Sequence, residues 1–228
     1  MSPVQAAVVT GTEPISLLSL IDQGPQEYLK ALELQRLVHR EVVAGLRPST
    51  LMLLEHEPIF TAGKRTNPSE RPLSATPVVD VDRGGKITWH GPGQLIGYPI
   101  IRLRHPQELV GYVREIEGGI IDLLPDFGLI GGRVEGRSGV WIDGQRKIAA
   151  IGIRVAQGVT MHGFAINANC SLAAFDEIIP CGIRDATVTS ISREISREIS
   201  PEIDREVSVQ DLLPKIQERM IPILEALS

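Results

Sequence analysis

Val140-Trp141-Ile142-Asp143-Gly144-Gln145-Arg146-Lys147-Ile148-Ala149 reads as a β-hairpin. Val140-Trp141-Ile142 and Lys147-Ile148-Ala149 flank Asp143-Gly144, a pair suited to a tight turn in which the backbone must adopt positive φ. A second turn signal, Gln157-Gly158, leads into residues 159–167. Outward from this centre, strands and helices mix. Residues 15–21 and 51–54 read as strands, and between them Tyr28, Leu29, Leu32, Leu37 and Val38 recur at helical spacing, from a start near Pro25 to about Leu46. Residues 56–76 are polar and contain proline. Residues 78–81 form a short strand meeting Gly84-Gly85, and residues 86–101 are strand-like but interrupted by Gly91-Pro92-Gly93. Pro106 opens a helix ending near Gly128, and an amphipathic helix closes the chain over residues 209–227. The expected fold class is α+β, a largely antiparallel mixed sheet flanked by helices. Residues 14–228 are expected to form a single domain, preceded by an extension over 1–13.

Composition narrows the function classes. The chain has 228 residues, enough for a sizeable core, with 43% hydrophobic and 22% charged residues, as in ordinary globular proteins. A net charge of −5 argues against general nucleic-acid binding. No basic cluster precedes an apolar run at the N-terminus, and no apolar stretch approaches the roughly 20 residues that span a bilayer. Two cysteines with ten residues between them, Cys170 and Cys181, make neither a disulfide framework nor a zinc spacing. The expected setting is the reducing cytoplasm, with no membrane association, no nucleic acid, no cofactor and no metal.

The densest unusual stretch is Arg83-Gly84-Gly85-Lys86-Ile87-Thr88-Trp89-His90-Gly91-Pro92-Gly93-Gln94. As a strand it turns Ile87 and Trp89 inward and Lys86, Thr88 and His90 toward a cleft or solvent. The flanking glycines permit close approach of a ligand or another backbone. A plain hairpin explains the same pattern. Neither a Walker A loop nor the dinucleotide fingerprint is present.

Cys181, in Ile178-Ile179-Pro180-Cys181-Gly182-Ile183, sits on a sharp turn after an apolar run. Such a thiol is either a small buried hydrophobe or a nucleophile. Cys170 reads as inert. Lys147, on an alternating strand, shares a face with Ala149, Ile151, Ile153 and Val155, where it either snorkels outward or occupies a partly dry site. His56, His90 and His162 lie in glycine- or proline-marked turns with no metalloprotease spacing. The run Ile191-Ser192-Arg193-Glu194-Ile195-Ser196-Arg197-Glu198-Ile199-Ser200 is of low complexity, with isoleucines every four residues up to Ile203, and reads as a surface elaboration.

Together, several segments resemble the lipoyl(octanoyl) transferase family of the biotin/lipoate protein ligase superfamily. They are Leu54-Glu55-His56-Glu57-Pro58, Thr61-Ala62-Gly63, the stretch from Arg83 to Gln94, and Gly97-Tyr98-Pro99. Arg137-Ser138-Gly139-Val140-Trp141, Lys147-Ile148-Ala149-Ala150-Ile151-Gly152, His162-Gly163-Phe164-Ala165-Ile166-Asn167 and Pro180-Cys181-Gly182-Ile183 follow in the family's order. The resemblance implies a fold related to the catalytic core of class II aminoacyl-tRNA synthetases. It implies an acyltransferase whose octanoyl group is held as a thioester on Cys181, with Lys147 as its partner. Arg83, Gly84, Gly85, Lys86, Ile87, Thr88, Trp89 and His90 match the acyl-substrate loop. Ala150, Ile151, Gly152, Gly163, Phe164 and Ala165 match further walls of that pocket. The donor implied is octanoyl-acyl carrier protein, and the acceptors are lipoyl domains of E2 subunits of 2-oxoacid dehydrogenases and the glycine cleavage H protein. The enzyme is expected to act as a monomer, with Lys64, Arg65 and Arg71 either guiding docking or lying on a solvated loop. An ATP-dependent lipoate or biotin protein ligase, a thioesterase and a non-catalytic lipoyl-domain or carrier-protein binding module are the competing readings.

Overall fold

A computed structural model describes residues 14–178, 186–198 and 206–228. In chain order the strands and helices are β1 (Ser16–Ser19), α1 (Tyr28–Val43), β2 (Thr50–Leu54), β3 (Ile59–Ala62), β4 (Val78–Asp80), β5 (Thr88–His90) and β6 (Gln94–Ile100). There follow α2 (Leu109–Leu123), β7 (Gly132–Val134), β8 (Arg137–Ile142), β9 (Arg146–Ala156), β10 (Val159–Asn167), β11 (Thr187–Val188), α3 (Ile191–Glu198) and α4 (Val209–Leu227). The main sheet runs β1-β2-β6-β10-β9-β8-β7, with β11 added alongside β9. Its pairs are antiparallel except β1 with β2 and β11 with β9. A three-stranded sheet, β4-β3-β5, stands apart. The architecture is the α+β one expected.

Both turns that organise the centre adopt the left-handed backbone their residues favour. Asp143 and Gly144 have φ of 50° and 69°, and Gln157 and Gly158 have 53° and 74°. The pairing of β8 with β9 is irregular: Trp141 lies opposite Lys147, but the preceding Val140 lies opposite Ala149, so Ile148 is an extra residue. A bulge of this kind breaks strict alternation along the strand.

The sheet separates two cores. On one face Leu51, Leu53, Leu95 and Ile166 pack against Tyr112, Ile116 and Ile120 of α2 and Leu212, Ile216 and Met220 of α4. On the other, Met52, Leu54, Ile96 and Ile100 meet Ala31, Val38 and Val42 of α1. β2 is buried at every position, which is why its sequence is a near-continuous apolar run. α4 starts at a capping box, in which Ser208 and Asp211 hold each other's backbone N–H groups.

Two expectations change, and one strand was not foreseen. The polar segment over 56–76 contains β3, whose four residues are all buried, and β7 had no strong local signal. The low-complexity run is not a surface elaboration where it is described: Ile191 and Ile195 are in the main core. Spacing by four does line one face of α3, and that face meets β9 and α4 through the shared core. Ile199 and Ile203 lie outside the described residues. Among the described residues, no helix is long and apolar enough to cross a membrane.

Candidate active site

A cavity of 240 Å³ opens between the main sheet and the segment leading into β5. Arg83 anchors that segment. Its guanidinium donates to the carbonyl oxygens of Gly84 and Lys86, both at 2.9 Å, and to the carbonyl and hydroxyl oxygens of Thr61 at 2.8 and 2.9 Å. Its side chain passes where no Cβ can stand: one on Gly63 would lie 2.7 Å from Nη1, and one on Gly152 would lie 2.9 Å from Cδ. The backbone of Gly84 donates to the Ile153 carbonyl at 3.0 Å, laying the loop across β9. The glycines around Arg83 are therefore needed for close packing.

Alternation then distributes the loop's side chains. Lys86, Thr88 and His90 line the cavity, with Arg83 and Gly85. Ile87 and Trp89 point away and join Phe60, Phe175 and Ile178 in a separate cluster. Neither they nor Gly84 borders the cavity. Across the sheet, Ala150, Ile151, Gly152, Gly163, Phe164 and Ala165 complete the wall.

Lys147 is on the same wall, only 6% exposed. It is not snorkelling into solvent. The bulge at Ile148 explains how it gets there: Ile148 and Ala149 are both in the α2/α4 core, while Lys147 and Ala150 both border the cavity. The expected common face of Lys147 with Ala149, Ile151, Ile153 and Val155 is thus broken, and of those four only Ile151 also reaches the cavity. Cys181 lies outside the described residues. Cys170 is buried against Phe60 and Trp89, and burial pushes its thiol up to about 12, so it is a neutral packing residue at physiological pH.

Polar groups behind the wall form a directed chain. Thr61 Oγ1 accepts from Arg83 and donates to His90 Nε2 at 3.2 Å. His90 Nδ1 donates to Gln94 Oε1 at 2.7 Å, and Gln94 Nε2 donates to Asn167 Oδ1 at 2.8 Å. Asn167 Nδ2 donates to the Thr189 carbonyl at 2.8 Å, and the Thr189 backbone N–H donates to the Lys147 carbonyl at 2.9 Å. Every link uses one donor and one acceptor, which sets the tautomer of His90 and the orientation of both amides.

The other histidines are also internal. His56 Nδ1 donates to the Gln26 carbonyl at 3.1 Å, and its Nε2 accepts from the Tyr98 hydroxyl at 2.7 Å. Burial lowers His56 to about 4 and His90 to about 3. His162 has a φ of 59° within β10 and reaches Asp82, 2.7 Å away, which also pairs with Arg154. Burial and the nearby guanidiniums of Arg83, Arg154 and Arg36 lower His162 to about 3. Among the described residues, no group of three histidine, cysteine or acidic side chains could hold a metal ion.

Tyr28, Arg65, Ile96, Tyr98, Gly136, Arg137, Ser138 and His162 also border the cavity, although sequence reasoning had assigned none of them to the pocket. The motifs Gly97-Tyr98-Pro99, Arg137-Ser138-Gly139 and His162-Gly163 were the available signal. Arg65 is at the cavity rim, whereas Arg71 pairs with Asp80 on the surface.

The family model for the lipoyl protein ligase A/B catalytic domain matches residues 27–218. The chain belongs to this family. An octanoyltransferase of Leifsonia xyli subsp. xyli is 59% identical over 180 residues, covering 77% of this chain and 80% of its own. One from Salinispora tropica is 51% identical over 213 residues, covering 91% and 96%. With such relatives the lipoyl protein ligase A/B member described here is an acyltransferase. The fold is shared more widely: the bi-partite lipoate protein ligase of Thermoplasma acidophilum superposes with a TM-score of 0.65 at 15% identity, covering 91% of this chain and 84% of its own.

Proposed function

We propose that this protein transfers an octanoyl group from octanoyl-acyl carrier protein to a lysine of a lipoyl domain, by way of a thioester on Cys181. The observation that carries this reading is the burial of Lys147 in a cavity wall that also presents the apolar side chains of Ala150, Ile151 and Phe164. The names of its relatives supply the acyl group. Acceptors of the expected kind are lipoyl domains of E2 subunits and the glycine cleavage H protein, and the enzyme works as a cytoplasmic monomer.

The chemistry requires little beyond these groups. A cysteine of ordinary pKa, about 8.5, is only a few per cent thiolate at neutral pH. A nearby ammonium on Lys147 favours the thiolate. The Cys181 sulfur attacks the donor thioester carbonyl, and collapse of the tetrahedral species releases the carrier thiolate, which takes up a proton. One thioester replaces another, so little free energy is lost. In the second half the acceptor amine attacks the acyl-Cys181 carbonyl, gives up a proton, and the Cys181 thiolate departs. Lys147 relays those protons. Thioester to amide is downhill, so the reaction needs no ATP. Each methylene of the acyl chain placed against the apolar wall contributes about 0.8 kcal/mol.

Intact-mass measurement after mixing with octanoyl-carrier protein, without nucleotide, tests the reading. An octanoyl adduct is expected on the wild type and not on Cys181→Ser. An adduct that persists on Cys181→Ser would overturn the thioester route. A requirement for ATP would point instead to a ligase. Lys147→Ala is expected to slow acylation most near neutral pH and to recover partly in alkali.

A further inference from the structure

The Arg137-Ser138-Gly139-Val140-Trp141 motif has no part in the chemistry just described, yet its residues surround Lys147. Trp141 lies opposite Lys147 across the β8–β9 pair. The Lys147 Nζ is 5.2 Å from the centre of the Trp141 ring, within the range of a cation–π contact. Trp141 is only 1% exposed, so the contact is made out of water, where it is strongest. Its indole N–H has no hydrogen-bond partner among the described residues.

Gly139 supplies the other side. A Cβ at that position would stand 2.5 Å from Lys147 Cε, 3.2 Å from Nζ and 2.4 Å from the Ala149 carbonyl oxygen. The lysine stem therefore crosses β8 through the space of a missing side chain. Gly139 also has a φ of 109°, a conformation other residues avoid. Its N–H donates to Glu117 Oε1 at 2.8 Å. Glu117 is fully buried on α2, and its other oxygen takes Arg114 at 2.6 Å and Arg133 at 3.3 Å.

We infer that Gly139 and Trp141, with Glu117 behind Gly139, form a cradle that positions the Lys147 ammonium in the acyl cavity. The inference rests on the reading of Lys147 as the partner of the Cys181 thiol. It makes Gly139 and Trp141 positioning residues, acting on the reaction through Lys147. Among the described residues, the other charged or titratable groups bordering the same cavity are Tyr28, Arg65, Arg83, Lys86, His90, Tyr98, Arg137 and His162, and the Arg137 guanidinium also lies 5.9 Å from the centre of the Trp141 ring. Burial keeps both histidines neutral. The ring face offers the ammonium an attractive surface on a wall where cationic side chains gather.

The pH dependence of Cys181 alkylation by iodoacetamide, read by peptide mass spectrometry on full-length protein, tests the cradle. Lys147→Ala, Trp141→Leu, Gly139→Ala and Trp141→Phe are compared with the wild type. Trp141→Leu and Gly139→Ala are expected to slow alkylation about tenfold at neutral pH, with recovery in alkali as for Lys147→Ala, while Trp141→Phe, which keeps an aromatic face, stays near the wild type. Wild-type profiles for Trp141→Leu and Gly139→Ala beside a shifted Lys147→Ala would overturn the cradle and leave the role of Lys147 intact. An unshifted Lys147→Ala profile would overturn both. Should either cradle variant fail to fold, Trp141→Met gives the same comparison: a wild-type profile overturns the cradle, and a shifted one supports it.

Discussion

Gln94 Oε1 accepts a 2.7 Å hydrogen bond from His90 Nδ1–H, and the Gln94 amide N–H donates in turn to Asn167. The two residues flank the turn that separates β5 from β6, so the bond joins the small sheet to the large one. Gln94 is 2% exposed and His90 8%, leaving little water to replace a lost partner. Gln94→Ala strands the His90 N–H and the Asn167 carbonyl oxygen. A loss of about 2–6 kcal/mol in urea unfolding is expected, from about 1–3 kcal/mol for each of the two unsatisfied groups. A change within a few tenths of a kcal/mol would show that the relay contributes nothing to the native state.

Acid should destabilise the fold well above the range in which carboxylates titrate. His56 and His90 are held neutral, with folded values near 4 and 3 against about 6.5 when unfolded. The unfolded chain therefore binds their protons first. Stability is fully present above about pH 6.5 and falls as pH drops toward 4, by up to about 1.4 kcal/mol per pH unit for each histidine. Thermal melts between pH 7 and 4.5 measure this. His56→Gln should flatten the slope, and an unchanged slope in both His56→Gln and His90→Gln would refute the assignment.

Ile195 is 1% exposed and touches the core shared by β9, α2 and α4. Ile195→Ala should therefore cost about 2–5 kcal/mol by equilibrium denaturation. A residue on a surface elaboration would cost less than about 0.5 kcal/mol. The two values do not overlap.

At Gly163 the limit is backbone contact. A Cβ there would lie 2.0 Å from the Gly97 carbonyl oxygen and 2.6 Å from Pro99 Cδ. Neither can swing away, because both belong to β6, the neighbouring strand. Gly163→Ala is expected to destabilise by at least about 3 kcal/mol, the upper end of overpacking costs, and to reduce acyl transfer in whatever fraction stays folded. Normal melting temperature and activity would contradict the close approach.

Cys170 should behave as a packing residue. With its thiol pushed up to about 12, it should resist alkylation in the native protein at pH 8 and react only on unfolding. Cys170→Ala should leave the pH profile of acyl transfer unchanged. Labelling of Cys170 at the rate of a free thiol would show that the site is open.

Several features were legible because they depend on neighbours in sequence. Asp143-Gly144 and Gln157-Gly158 announce left-handed turns, and the structure has them. The apolar spacing over 209–227 announces α4, whose first residue is Val209. Alternation along 86–90 sends Lys86, Thr88 and His90 to the cavity and Ile87 and Trp89 away from it. Glycine and side-chain period act over a few residues, so no tertiary information is needed to read them.

Other features depended on what each strand met. β3 was hidden in a polar, proline-containing segment, because its burial comes from β4, β5 and helix α1 packing around it. Ile191 and Ile195 looked like decoration until the core closed over them. The sequence by itself determined that Lys147 stands on a strand after a tight turn, and that Arg83 lies among glycines. Only the tertiary structure decided which way Lys147 points. The extra residue at Ile148 is a property of two paired strands, not of one, and it turns the lysine from the face of Ala149 into the cavity. Register is set by cross-strand contacts between residues distant in the chain, and a shift of one residue exchanges the faces of a strand.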